Sequence, residues 1–277
     1  MKGKWLPSPT TAKLDIVGAV CEHLEELTAQ DQLKCMGSEV FSKYKTAFQP
    51  IPHINNLPTD VYCRIQLKDA TRSIATRSYS SPWKYREAWQ TYHEDVGQIH
   101  PSNSSSASPS FLIPTTDSTV LPCWVNNCHV LNSNMVLDLY PLPHVNDILA
   151  NCVKGCICSH LDMTNSFFHT QVHPDDTHLT AVTTPFGLYK WTVMPQGLKN
   201  VPLIHQHQMN VALCPLIGKI CHIYMDDIVI WSNMVTKHIK HIDMVMKALI
   251  AAQLFCSPKK CDFFLMEMDF FGHHISA

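Results

Sequence analysis

The residues IGKICHIYMDDIVIWS, 217–232, constrain the fold more than any other stretch of the chain. Apolar and β-branched residues flank Asp226 and Asp227 on both sides, so two strands meet at a hairpin with adjacent carboxylates at its tip. Two anions in such a place repel one another and lose hydration, which is costly unless a cation compensates. Mg²⁺ is the natural compensation, because it prefers carboxylate and phosphate oxygens. The same pattern also fits a solvated turn.

A second segment, SHLDMTNSFFHTQV, carries another carboxylate, Asp162, inside a strand-like run followed by Phe167 and Phe168. One carboxylate on a strand plus a pair on a neighbouring hairpin is the minimum for two-metal phosphoryl transfer. The three acids are therefore expected to converge, with Asp162 within about 8 Å of one of the other two, as metals roughly 3.5–4 Å apart require.

Elsewhere helices and strands are mixed. Leu14, Val17, Val20, Leu24 and Leu27 recur at helical steps, and Ser38 to Phe48 suits a second, shorter helix. Val61 to Leu67 alternates as a strand does, and Pro82 opens a helix with Tyr85, Trp89, Tyr92 and Val96 on one face. From Phe111 the chain turns to short apolar runs cut by turns. A helical period returns through Ile239, Ile242, Val245, Met246 and Leu249, and MDFFGHHIS reads as a tight hairpin around Gly272. This order points to an α+β protein rather than a doubly wound sheet. No apolar run approaches the roughly 18–20 residues that cross a bilayer, and the N-terminus lacks the apolar core of a signal peptide. The expectation is an intracellular protein, cytoplasmic or nuclear and not secreted, with no membrane partner and with its twelve cysteines reduced.

In their order, seven blocks resemble the reverse transcriptases of gypsy-type LTR retrotransposons, with retroviral enzymes as cousins. They are IHPSNSSSASPSFLIP, LNSNMVLDLYPLPHVNDIL, LDMTNSFFHTQVHPDD, TAVTTPFGLYKWTVMPQGLKNVP, YMDDIVIWS, SPKKCDFF and DFFGHHIS. The resemblance implies the fingers and palm of a right-hand polymerase behind a helical N-terminal lead. The implied division is 1–60 lead, 61–136 first fingers part, 137–171 first palm part, 172–194 second fingers part, and 195–277 palm with the primer-grip hairpin. It implies a polyprotein fragment without a complete thumb, RNase H or integrase. The implied reaction adds dNTPs to a primer 3′ end on an RNA or DNA template. Asp162, Asp226 and Asp227 would hold two Mg²⁺ ions, with Mn²⁺ as an alternative. Phe167 would be the gate against a ribose 2′-hydroxyl, with Phe168 turned into the core, because the two are expected on a strand, where neighbouring residues face opposite ways. Gln196 would line the nucleotide site and Met225 would sit against the primer terminus. Phe271 and Gly272 would form the primer grip, and Lys260 would be a proton donor near the leaving pyrophosphate. Oligomeric state stays open.

The chain departs from that family in its fingers, where CWVNNCHVLN replaces a strand reading roughly Arg-x-Val-x-Asp-Tyr-Arg-x-Leu-Asn. Cys123 stands where the family has a triphosphate-binding Arg, and Thr115 where it usually has Lys. Asn127, Cys128 and His129 replace Asp, Tyr and Arg. Neither thiol nor neutral imidazole supplies a guanidinium's fixed charge and paired donors. Arg64, Arg72, Arg77 and Arg86 are the only arginines, and the net charge of −2 is poor for a nucleic-acid binder. An impaired or inactive remnant of a retrotransposon is therefore one alternative. Another is a zinc-binding interaction module around Cys152, Cys156, Cys158 and His160, although C-x3-C-x-C-x-H matches no common zinc spacing. His238 and His241, one helical turn apart, read as solvated.

Overall fold

The computed structural model describes residues 16–58, 61–74, 79, 97–114 and 122–276, with only the backbone of 16–28. The helix expected from Pro82 and the residue Thr115 lie outside the described residues. Within them, four strands form an antiparallel sheet in the order β11, β5, β10, β9. These are Asp262–Leu265, Ile157–Asp162, Asp227–Ser232 and Cys221–Tyr224.

Strand β10 reads as a continuous apolar run because both of its faces are covered. Ile228 and Ile230 pack on the back of the sheet with Leu161, Ile223, Met209, Leu213, Ile242 and Leu249. Those partners come partly from α4, Val201–Leu213, and α5, Val235–Ala251. Val229 and Trp231 point forward, into a cluster with Cys158, Ile148, Cys152, Met268 and Phe270. That cluster joins α3, Val145–Cys152, to the hairpin of β12, Glu267–Phe270, and β13, His273–Ser276. Ile228, Val229 and Ile230 are each 0% exposed, and each stabilises the fold by about 1.5–3 kcal/mol through burial. Slipping β10 by one residue would exchange the two faces, so its register is firmly held.

A second sheet has the order β2, β8, β7, β3, β4, spanning Ile99–Pro101, Gly187–Trp191, Ala181–Thr184, Ser108–Ile113 and Cys123–Asn126. Its core holds Trp124, Trp191, Val182 and Leu112. A third cluster holds Leu131, Met135, Met194, Leu198 and Val201. It includes residues of α2, His129–Asn134.

Three local expectations are corrected. The two N-terminal helices are one, α1, running unbroken from Ile16 to Lys43, followed by a 3-10 turn at Lys45–Phe48. Nothing between Leu27 and Ser38 breaks a helix, since that stretch holds neither Gly nor Pro except Gly37 near its end. The strand expected over Val61 to Leu67 shortens to β1, Tyr62–Cys63, which pairs with β6, Gln171–Val172, and to one bridge from Leu67 to Met135. His238 is 0% exposed rather than solvated, because Ser159 and Ser232 meet its ring nitrogens at 2.7 and 2.8 Å. The closing hairpin forms as expected: Phe271 and Gly272 have φ of 50° and 73°, the left-handed pair that a tight two-residue turn demands. No helix among the described residues is long and apolar enough to cross a membrane.

Candidate active site

Asp162 ends β5 and Asp227 begins β10, and the antiparallel register sets the two directly opposite one another. Paired residues in such a ladder project to the same face, with Cα atoms about 4.5–5.5 Å apart. Asp226 occupies the turn, and its carbonyl accepts the Met163 N–H at 3.0 Å. Burial, then the nearby Asp227 and Asp162, push the Asp226 carboxyl above its ordinary value. The Lys260 ammonium bridges both oxygens of Asp162 at 3.2 Å each. His160, two residues before Asp162 on the same face, reaches Asp227 at 2.9 Å through Nε2.

The tip of the hairpin is fastened from behind. Met225 has a φ of 55°, uncommon for a residue with a side chain. Its N–H donates to Gln206 Oε1 at 2.7 Å. Gln206, on α4 and 0% exposed, donates in turn to the Ile223 carbonyl at 3.2 Å and Asn210 Oδ1 at 2.9 Å. A buried amide with its donors and acceptor engaged holds a strained turn firmly. The sequence pattern does not single out Gln206, and it offers His160 as a zinc ligand rather than as a partner of Asp227. A polar residue two positions before Asp162 was a usable signal for His160, since alternate strand residues share a face.

The other expected residues fall in three places. Phe271 packs edge-on against Tyr224, ring centres 4.7 Å apart, and Phe270 against His160 at 6.1 Å, which sets the closing hairpin beside the acids. Gly272 has open space where a Cβ would lie. Phe167 and Phe168 sit on a 3-10 turn, Ser166–His169, not on a strand. They diverge all the same: Phe167 meets His205 edge-on at 5.7 Å, and Phe168 stacks on Trp191 at 5.6 Å. Gln196 is exposed and belongs to the second sheet's side. Its Oε1 lies 3.9 Å from Cys123 Sγ, and its carbonyl accepts from the Asn126 amide at 3.2 Å. Gly197 makes that approach feasible, since a Cβ there would stand 2.6 Å from the Asn126 carbonyl oxygen. Asn127 donates to the Tyr79 hydroxyl at 2.7 Å, and Cys128 is buried, its thiol pushed up to about 12 by burial.

The donor chemistry suits a hard cation: Asp162 and Asp227 oppose one another at one sheet end with Asp226 in the adjoining turn, and an ammonium already engages one of these acids. As they stand, no three His, Cys, Asp or Glu side chains among the described residues are arranged to hold a metal ion. Lys260 and His160 each engage a carboxylate instead. Of the cysteine-rich stretch, Cys152 and Cys158 are buried in the forward cluster, Cys156 is exposed, and His160 is taken by Asp227. A cleft of about 710 Å³ between Tyr62, Arg64, Leu137 and His207 is lined by none of the site residues.

Comparison with known proteins bears on the family and the fold. The family profile described as "Reverse transcriptase (RNA-dependent DNA polymerase)" matches residues 108–275. The Pol polyprotein of transposon gypsy from Drosophila melanogaster is 33% identical over 262 residues, covering 91% of this chain and 25% of the relative. That of transposon opus, from the same organism, is 28% identical over 233 residues, covering 82% and 23%. The chain thus spans about a quarter of these relatives. Among solved structures, the foamy viral protease-reverse transcriptase in complex with an RNA/DNA hybrid superposes with a TM-score of 0.77 at 23% identity, covering 99% of this chain and 37% of that one. The prototype foamy virus enzyme, a CSH mutant, gives 0.78 at 22% identity, covering 90% and 33%. With more than half its length matched by the profile and its fold shared with the foamy virus enzyme, this chain belongs to the reverse transcriptase family.

Proposed function

We propose that the chain is the fingers-and-palm part of a retrotransposon polyprotein and adds dNTPs to a primer 3′ end on an RNA or DNA template. The observation that carries this reading is the opposition of Asp162 and Asp227 across β5 and β10, with Asp226 in the adjoining turn. The four-stranded sheet with its helices is then the palm and the five-stranded sheet the fingers, divided as the sequence reading has it. Asp162, Asp226 and Asp227 would hold two Mg²⁺ or Mn²⁺ ions. When bound, such ions neutralise phosphate charge and stabilise attacking and leaving oxygens. Lys260 carries a transferable proton at Nζ and is assigned to the departing pyrophosphate. The hairpin at Phe271 and Gly272 would steady the primer, with Met225 at its terminus. Phe167 is the sugar gate and Gln196 a wall of the nucleotide site. Template and primer as partners are supported by the foamy viral relative, whose structure holds an RNA/DNA hybrid. The setting that goes with this reading is intracellular, cytoplasmic or nuclear.

Primer extension on a homopolymer template with Mg²⁺ tests the reading. Asp226→Asn should abolish extension, because several kcal/mol of charge stabilisation is worth about 10³-fold or more in rate. Extension that survives Asp226→Asn would refute the mechanism.

A second reading, an impaired remnant, is favoured by Cys123. Its thiol lies exposed beside Gln196, where the family's triphosphate-binding guanidinium would be. On this reading, Cys123→Arg with Thr115→Lys raises kcat/KM by roughly 10²-fold, at about 1.5 kcal/mol per contact. Robust extension by the unaltered chain would exclude it.

A further inference from the structure

Behind the acid-bearing turn a line of side chains leads from Met225 to Tyr140, a residue with no part in the proposed chemistry. The Met225 N–H donates to Gln206 Oε1 at 2.7 Å, and Gln206 Nε2 donates to the Ile223 carbonyl and to Asn210 Oδ1. Asn210 donates in turn from Nδ2 to the Tyr140 hydroxyl at 2.7 Å, across 70 positions of the chain. The direction of this line is fixed at its inner end. A backbone N–H only donates and a backbone carbonyl only accepts, so Met225 and Ile223 together decide which way the Gln206 amide faces. That orientation presents Nε2 to Asn210, which must answer with Oδ1 and has Nδ2 left to place. The Tyr140 hydroxyl takes it. With the Asn210 amide reversed, its NH2 group would face that of Gln206, donor against donor.

Tyr140 is itself firmly placed. Its ring stacks on His207 of α4, with centres 4.5 Å and planes 21° apart. Its N–H donates to Asp138 Oδ1 at 3.0 Å, and the Asp138 N–H donates to Asn200 Oδ1 at 3.3 Å. Asn200, which precedes α4, also donates to the Val136 carbonyl at 2.8 Å, so residues 136–140 are tied to the start of that helix. At the other end of the line stands Met225, with its φ of 55°, a conformation that persists only where the surroundings impose it.

We propose that Tyr140 is a positioning residue for the acid-bearing turn: its hydroxyl, acting through Asn210 and Gln206, holds the Met225 N–H and with it the adjoining Asp226. The coupling stands on the hydrogen bonds and is measured without turnover. Only its consequence for extension rests on the polymerase reading.

Hydrogen–deuterium exchange of the full chain, followed by pepsin digestion and mass spectrometry, is the test. Tyr140→Phe keeps the ring on His207 and removes the hydroxyl alone. It should speed exchange in peptides covering 223–227 by about three- to tenfold, the range set by loss of one hydrogen bond, while peptides from β7 and β8 keep wild-type rates. Asn210→Ala should do the same. In a Gln206→Leu background, Tyr140→Phe should add nothing, because the line is already cut. In a chain that extends primers, Tyr140→Phe should lower kcat by a similar factor and leave the KM for dNTP nearly unchanged. Wild-type exchange at the turn, equal acceleration throughout the fold, an undiminished effect in the Gln206→Leu background, or an unchanged kcat in an active chain overturns the proposal. The expected exchange pattern in a chain that extends no primer supports the coupling and counts against the polymerase reading alone.

Discussion

Acidification from about pH 8 to pH 5 should destabilise this fold by about 6 kcal/mol, through three histidines that the folded chain keeps neutral. His169, His205 and His238 are at most 1% exposed. Burial pulls them down to about 4, about 3 and about 3 respectively. His169 donates from Nδ1 to the Ser166 carbonyl and accepts the Phe255 N–H at Nε2, so a second ring proton would face a donor. Among the described residues, His205 has no hydrogen-bond partner at either nitrogen. In the unfolded chain each takes up a proton near pH 6.5. These folded values are depressed, so the unfolded chain binds more protons below pH 6.5. Stability is complete above that value and falls as the pH drops towards the folded pKa values. About 1.5 units below the unfolded pKa, each histidine favours unfolding by about 2 kcal/mol, whatever its folded value below pH 5. Three together rival the whole stability of a typical domain, about 5–15 kcal/mol. Exposed His274 acts in the opposite sense, since its hydrogen bond with Asp269 raises it. Urea unfolding followed by tryptophan fluorescence between these pH values measures the effect. The limiting slope should approach about 4 kcal/mol per pH unit. His205→Phe should keep the edge-on packing with Phe167, remove one of the three protons, and raise neutral-pH stability by about 1–3 kcal/mol. Stability that does not change between pH 8 and pH 5, or a destabilised His205→Phe, would refute the reasoning.

Gln206→Leu should leave the Met225 N–H buried without an acceptor, costing about 1–3 kcal/mol in urea unfolding and lowering kcat for extension more than it raises KM. Gly197→Ala places a Cβ against the Asn126 carbonyl at a φ of 108°. It should destabilise by about 1–3 kcal/mol, seen as a lower melting temperature. Phe167→Ala should raise rNTP incorporation relative to dNTP in a primer-extension assay, and an unchanged ratio would take Phe167 out of the nucleotide site.

Much of this protein could be read from local pattern. The apolar runs around Asp226 and Asp227 had to be strands, since β-branched residues fill a buried sheet well. The five apolar positions from Ile239 to Leu249 announced α5, and Phe271 with Gly272 announced a tight turn. These features depend on neighbours a few residues away, and each residue carries its own signal. What the tertiary structure alone decided depends on pairs far apart in the chain. His160 meets Asp227 across 67 positions and Lys260 meets Asp162 across 98, contacts set by strand register and a loop's return. His238 was misread because helix periodicity marks it polar, whereas Ser159 on β5 and Ser232 at the end of β10 make its burial tolerable. Phe167 was placed on a strand because alternation is the default after one, yet Asn165 adopts a left-handed φ of 42° and turns the chain into a 3-10 helix. A sequence displays which groups must be buried or carry charge; which partner satisfies each is decided only when distant strands and helices are brought into register.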